Sequence, residues 1–162
     1  DNIERAVKKS YDENDENYEE VRYEGFGIEG VGIIVESLTD NRNRTAGDIR
    51  SIFSKHGGNL GETGSVSFMF NHLGIIKFSK EAGDFEDVFE IATDAGALDC
   101  DSTEDGYEIS CSTDELHQVT EMIEGNVKIP ITAQLSWRPL NLIPLDKEKA
   151  LKVLGMIDVC KL

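Results

Sequence analysis

Apolar residues recur along the chain in two patterns, the alternation typical of strands and the three-to-four spacing typical of amphipathic helices. Strands are predicted over residues 21–24, 31–35, 66–70, 75–79, 97–102, 107–112 and 131–137. Helices are predicted over residues 1–9, 45–56, 85–95, 113–124 and 147–159. Glycine, asparagine and aspartate cluster between most of these segments, as turns require. The sequence therefore predicts an α/β chain of the α+β type.

The helix that follows the second strand has well-marked ends. Thr45 is its predicted N-cap, Ile49 and Phe53 belong to its buried stripe, and Gly57 is its stop. The residues expected to face inward from the later helices are Phe85, Val88, Phe89 and Ala92, then Leu116, Val119 and Ile123, then Ala150, Leu151, Leu154 and Ile157.

From residue 75 onward the elements follow the order β-α-β-β-α-β, which is the ferredoxin-like arrangement. The last helix has no strands of its own, so we expect it to pack on the first α/β unit. This predicts a central discontinuous α/β domain over 16–74 plus 140–162, with an acidic ferredoxin-like domain over 75–139 inserted in it. Residues 1–15 are predicted to be the end of a helical segment and an acidic linker.

Negative charge dominates the chain and is unevenly spread. The formal net charge is −16, and residues 81–125 contain fifteen Asp and Glu with no Lys or Arg. Phosphate contacts supply most nucleic-acid affinity, so this segment is expected to repel DNA and RNA. Any nucleic-acid contact is expected to come from local basic islands or from sequence outside this chain.

The three cysteines, Cys100, Cys111 and Cys160, form no C-x-x-C pair and are interpreted as core residues of a protein in a reducing compartment. No apolar run approaches the roughly 20 residues of a membrane span, and the first residues do not resemble a signal peptide. We expect a cytoplasmic protein with no metal and no cofactor. The sequence lacks nucleophile, zinc and thiolate motifs, so an enzyme is not expected.

Residues 25–30 match G-x-G-x-x-G, the motif of dinucleotide-binding sites. That motif binds pyrophosphate because a helix N-terminus follows it. Here a β-branched strand follows, which favours a connection between two strands over a nucleotide site. The later loop 57–65 is also rich in glycine but lacks the lysine of a Walker A loop.

Arg42 and Arg44 lie close to the predicted N-terminus of a helix, where a cation opposes the helix dipole by about 0.3–1 kcal/mol. Two interpretations stay open: the arginines bind a phosphate together with free helix amides, or acids such as Asp40 hold them in surface ion pairs. The candidate nucleic-acid-binding residues are Arg42, Arg44, Arg50, Lys55, His56 and Asn59.

Four segments taken together resemble the core signature of the YebC/PmpR family. They are Tyr-Glu-Gly-Phe-Gly at 23–27, Leu-Thr-Asp-Asn-Arg-Asn-Arg-Thr at 38–45, Phe-Ser-Lys-His-Gly-Gly-Asn-Leu-Gly at 53–61, and Gly-Ser-Val-Ser-Phe-Met-Phe at 64–70. The similarity is dense over 19–80 and weaker over 81–162. One departure is Ile28-Glu29-Gly30, where the family usually has Pro-Gly-Gly.

The resemblance implies three domains: a basic helical N-terminal domain and two α/β domains, the third inserted in the second. Residues 1–9 are similar to the last helix of that first domain, and the chain ends within a helix that the family follows with a closing strand. The family includes bacterial transcriptional regulators and the mitochondrial translational activator of cytochrome oxidase. The implied function is regulation of transcription through DNA binding. The alternative is a translational activator that binds the ribosome, its RNA or its proteins.

Overall fold

A computed structural model describes residues 17–161. In this part of the chain the regular elements are seven strands and four helices. The strands are β1 (Glu19–Phe26), β2 (Gly32–Thr39), β3 (Asn59–Leu60), β4 (Phe70–Phe78), β5 (Asp99–Ser102), β6 (Tyr107–Cys111) and β7 (Ile131–Pro139). The helices are α1 (Arg42–Lys55), α2 (Phe85–Asp94), α3 (Leu116–Val127) and α4 (Lys147–Cys160). The mixed α+β class predicted from the sequence is confirmed.

The chain divides into two compact units. The discontinuous unit contains the residues up to Met69 and those from Asn141 onward, and the inserted unit is Phe70–Leu140. The prediction for the helix 1–9 falls outside the described residues.

In the discontinuous unit, β1 lies between β2 and β3 in an antiparallel sheet. Helices α1 and α4 pack on one face of this sheet, around a core of Ile33, Val35, Ile49, Phe53 and Met156. Alternate residues of β2 supply Ile33 and Val35, as the period of two in a strand requires. The expectation that the last helix packs on the first unit is therefore confirmed.

Helix α1 begins earlier than predicted. Its N-cap is Asn41, whose Oδ1 accepts a hydrogen bond from the backbone N–H of Arg44 at 3.0 Å. Thr45 is not the cap, because its hydroxyl is engaged with that of the buried Thr39 at 2.7 Å. The prediction of Thr45 as N-cap was wrong, and the correction places both Arg42 and Arg44 within the first turn of the helix.

The buried face of α4 also differs from the prediction. Val153 and Met156 are buried, whereas Leu151 and Leu154 are exposed. Apolar residues occur on almost every side of this helix, so spacing alone did not define its face. Lys149 lies on the side that faces the sheet, where its Nζ lies 2.8 Å from the carboxylate of Glu29 in the turn between β1 and β2.

The inserted unit has the strand order β5-β6-β4-β7, with every pairing antiparallel. With α2 and α3 packed on one face, this is the predicted ferredoxin-like β-α-β-β-α-β arrangement. Its core includes Ile76, Val88, Ile109, Val119 and Ile123. Of the four residues predicted to face inward from α2, Val88 and Ala92 are buried in the core, whereas Phe85 and Phe89 are partly exposed.

The strand predicted over residues 66–70 is wrong. Ser67–Met69 is a short 3-10 turn, and Phe70 is already the first residue of β4. The backbone N–H groups of Val66 and Ser67 bind the carboxylate of Glu24, so they are not available for strand pairing. A tertiary contact has overridden the local alternation of apolar residues.

Candidate nucleic-acid interface

The first turn of α1 carries two of the candidate residues, and both are in ion pairs. Nη2 of Arg44 lies 2.7 Å from Oδ1 of Asp40, and Nη1 of Arg42 lies 3.9 Å from Oε2 of Glu19. The side chains nevertheless remain exposed, that of Arg42 by 66% and that of Arg44 by 61%. Exposed pairs of this kind contribute about 0–1 kcal/mol. Acids therefore hold both arginines in the free protein, but these ion pairs are weak.

Two further candidates lie along the same helix. Arg50 and Lys55 are exposed, and no ion pair involving either occurs within residues 17–161. At 100° per residue, Lys55 projects from the same side of the helix as Arg44, about 16 Å further along the axis, whereas Arg50 projects to one flank. With Asp48 as its only acid, α1 carries a net charge of +3.

The other two candidates are not brought into this surface. Nδ1 of His56 lies 2.8 Å from the carbonyl oxygen of Ile52, so the ring closes the C-terminal turn of α1. Asn59 belongs to β3, where it pairs with Phe26 of β1. These positions favour structural roles for both residues. The cations of α1 are accordingly Arg42, Arg44, Arg50 and Lys55, with Arg42 about 160° around the helix from Arg44; these four residues are called the cationic surface of α1.

The glycines of the G-x-G-x-x-G segment serve packing and chain reversal. A Cβ on Gly25 would lie 2.5 Å from a ring carbon of Phe53 and 2.6 Å from the carbonyl oxygen of Asn59. Gly30 adopts a φ of 74°, which favours glycine, and the N–H of Gly27 donates to the carbonyl of Val31 at 2.7 Å. A strand follows rather than a helix, so the geometry that binds pyrophosphate is absent from this segment.

The turn at residues 28–30 contacts the last helix. Glu29 takes a positive φ of 57° at this turn and forms the ion pair with Lys149 of α4. The hydrogen bond from Lys149 to Glu29 raises the pKa of the lysine. Glu29 therefore links this turn to α4 through an ion pair.

Glu24 is a residue whose importance the sequence did not reveal. It lies on β1, it is 1% exposed, and its carboxylate accepts backbone hydrogen bonds from Gly64, Val66 and Ser67 at 2.7, 3.2 and 2.5 Å. Nε of Arg22 lies 3.4 Å from the same group. These contacts hold the segment 64–69 against the sheet. Because the donors lie forty or more residues away in the chain, they could not be predicted from the residues around Glu24.

Burial of Glu24 acts to raise its pKa, but the N–H donors of Gly64, Ser67 and Val66 outweigh burial and lower the pKa from 4.5 to about 2. A carboxyl with a depressed pKa stabilises the fold above its unfolded value and loses that effect as the pH falls through its folded value. We expect the free energy of unfolding to drop by about 3 kcal/mol between pH 5 and pH 2 on account of this group. Urea unfolding across that range measures the loss, and in Glu24→Gln this component should vanish.

The two units differ sharply in charge. The described part of the discontinuous unit contains eleven acids and nine Lys or Arg, a net charge of −2. The inserted unit contains fifteen acids and four Lys or Arg, a net charge of −11. The +3 helix therefore belongs to a nearly neutral body, and the inserted unit is the one that repels a polyanion.

Two other kinds of site are absent from residues 17–161. No helix in this range is long and apolar enough to cross a membrane. No cluster of three or more His, Cys, Asp or Glu side chains in this range is arranged to hold a metal ion.

Comparison with known proteins agrees with the fold and the motif. The chain is similar to a solved structure, the conserved hypothetical protein Aq1575 from Aquifex aeolicus, with 39% sequence identity and a TM-score of 0.79. The match covers 98% of this chain and 66% of that one, so the chain spans about two thirds of the length of this relative. A family model described as TACO1/YebC second and third domain matches residues 18–161, which is nearly the whole chain. The protein therefore belongs to the TACO1/YebC family, whose second and third domain make up the part of the chain that the structure describes.

Proposed function

We propose that the protein is a regulator of gene expression that acts on transcription through DNA binding, with the cationic surface of α1 as one of its phosphate contacts. The observation that supports this proposal is the separation of charge, with +3 on α1 and −11 on the inserted unit. A polyanion is attracted to the first and repelled by the second, which favours contact through α1.

The phosphate contacts of α1 are few, so this surface acts as a secondary contact. Four cations can neutralise only a few phosphates and therefore release few counterions from the DNA. Arg42 and Arg44 must also first break their ion pairs with Glu19 and Asp40. The family model is described as a second and third domain, and the matched relative is longer than this chain. We propose that the remaining affinity of the whole protein comes from a further basic domain. Residues 17–161 are then expected to bind duplex DNA weakly at physiological salt.

Removing the two unpaired cations tests the α1 surface. Arg50→Ala with Lys55→Ala is expected to weaken binding to duplex DNA at low salt and to reduce the slope of log K against log salt by about 2, one unit per lost phosphate contact. Fluorescence anisotropy of labelled DNA measures both quantities. Lys147→Ala with Lys152→Ala on α4 is the matched control, because it removes the same charge from the same unit. Equal losses in both double variants would show that only net charge matters and would overturn the assignment to α1.

A charge reversal tests the paired arginines separately. Arg42→Glu with Arg44→Glu is expected to weaken binding further while changing the free energy of unfolding by less than about 1 kcal/mol, because both ion pairs are exposed. Thermal unfolding followed by circular dichroism checks the second part. If the double variant unfolds instead, the arginines stabilise the start of α1 and are not available to a ligand.

The charge of the inserted unit favours a second candidate, a translational activator that binds the ribosome. A body with a net charge of −11 is poorly suited to lie along DNA but is complementary to basic proteins of a ribonucleoprotein particle. Sedimentation of the full-length protein from cell extracts distinguishes the two. Migration with ribosomes that persists after DNase treatment would support translation, whereas nuclease-sensitive association with the nucleoid would support transcription.

A further inference from the structure

The two edges of the four-stranded sheet in the inserted unit are unlike each other. The edge strand β5 has four residues and carries Asp99 and Asp101, a device that discourages pairing with another chain. The other edge, β7, has nine residues, and its stretch Thr132–Ser136 contains neither a charge nor a proline. Within the described residues β7 pairs with β4 alone. Alternate N–H and C=O groups of this stretch are therefore open to an added strand.

An apolar groove of about 400 Å³ runs beside this open edge, between β7 and the start of α3. Leu116, Thr120, Ala133 and Leu135 line it, and Asp114 and His117 contribute polar groups. The register between β4 and β7 explains why a groove forms here. Leu135 lies opposite Gly74 of β4, and a Cβ on Gly74 would lie 2.8 Å from a methyl group of Leu116. The absence of a side chain at Gly74 thus lets Leu116 approach the sheet next to Leu135, which remains 53% exposed.

We propose that this edge and groove bind an extended, basic segment of a partner protein, which adds to the sheet as a fifth strand beside β7. The added strand would form backbone hydrogen bonds with Thr132–Ser136 and place an apolar side chain between Leu116 and Leu135. An open edge strand next to a helix is the arrangement that accepts peptides by strand addition. The geometry supplies both the backbone affinity and the pocket that such binding needs.

Charge selects the occupant. The inserted unit carries −11, so edge-to-edge pairing with a second copy would bring two strongly anionic bodies together. A nucleic acid is disfavoured for the same reason. A segment in which lysine or arginine alternates with apolar residues satisfies both features, because its apolar side chains enter the groove while its cations project from the opposite face of the sheet of this strongly anionic unit.

A direct test uses a short peptide in which lysine alternates with leucine, titrated into the isotope-labelled chain. The proposal predicts slower hydrogen exchange at alternate amides of β7 and chemical-shift changes at Leu116 and Leu135. Leu135→Ala is expected to weaken binding about fivefold to tenfold, whereas Leu98→Ala, which removes a similarly exposed leucine of the same unit, is expected to leave it unchanged.

A second peptide separates strand addition from simple attraction between charges. The same sequence, N-methylated at alternate backbone positions, keeps its charge but cannot complete the ladder. The proposal predicts that it binds at least tenfold more weakly and gives no protection of β7. Equal binding of the two peptides, shift changes confined to the acidic helices, or no binding at all would overturn the proposal. So would dimerisation of the free chain that Leu135→Ala abolishes, since the edge would then be occupied by a second copy.

Discussion

Replacing Glu24 by glutamine is expected to lower the free energy of unfolding at pH 7 by about 3 kcal/mol. The carboxylate accepts three backbone hydrogen bonds while buried, and hydrogen bonds to a charged group are each worth about 1.5–3 kcal/mol. Glutamine offers a single acceptor oxygen, and its side-chain NH₂ group would point at the backbone N–H donors that the carboxylate accepts from. Urea unfolding measures the change, and amide hydrogen exchange of Gly64, Val66 and Ser67 locates it.

Glu20→Gln is the matched control for this prediction. Glu20 lies on the same strand but is exposed, so removal of its charge is expected to change stability by less than about 0.5 kcal/mol. Amides of the inserted unit, such as that of Ile109, provide an internal reference for exchange. A Glu24→Gln variant as stable as the Glu20→Gln variant would show that the carboxylate does not anchor the segment 64–69.

Gly25→Ala is expected to destabilise the protein by about 2–3 kcal/mol. The added Cβ would lie 2.5 Å from the fully buried ring of Phe53 and 2.6 Å from the backbone oxygen of Asn59, and neither neighbour has room to move. This expectation differs from that of a nucleotide-binding loop, in which the same change would weaken a ligand and leave the fold intact. Thermal unfolding of the unliganded variant makes the measurement.

Gly47→Ala is the same chemical change but is expected to raise the stability of the protein. Gly47 lies inside α1 with no atom within 4 Å of an added Cβ, so alanine is expected to stabilise the helix by about 0.5–1 kcal/mol. A Gly25→Ala variant that matched Gly47→Ala would mean that β1, β3 and α1 are less tightly packed than the structure indicates.

The arrangement of the inserted unit was predictable because its signals are local. Each strand and helix is bounded by turn residues, and Gly96, with a φ of 90°, follows the end of the helix predicted over 85–95. Only one common topology accommodates that order of elements. Which apolar residues of a helix are buried was harder to predict. Val88 and Phe89 are adjacent and both apolar, and only the packing of the core shows that Val88 is the buried one.

The candidate interface was partly predictable for the same reason. Asp40 lies four residues before Arg44, so that ion pair is readable in the sequence, and it was one of the two interpretations left open. Glu19 of β1 pairs with Arg42 of α1, and this pair could not be foreseen from spacing. The role of Glu24 depends on donors forty or more residues away. The structural role of His56 depends on its contact with the carbonyl oxygen of Ile52 in the last turn of α1.

The central proposal is that nucleic acid contacts the protein through α1 and avoids the inserted unit. The most direct measurement is a titration of the isotope-labelled chain with a short DNA duplex at low salt, followed by the amide shifts of every assigned residue. The proposal predicts shift changes concentrated in Arg42–Lys55, lost as salt increases, with Phe70–Leu140 unaffected. Changes centred on Phe70–Leu140, or no change in α1 at the lowest salt, would contradict it.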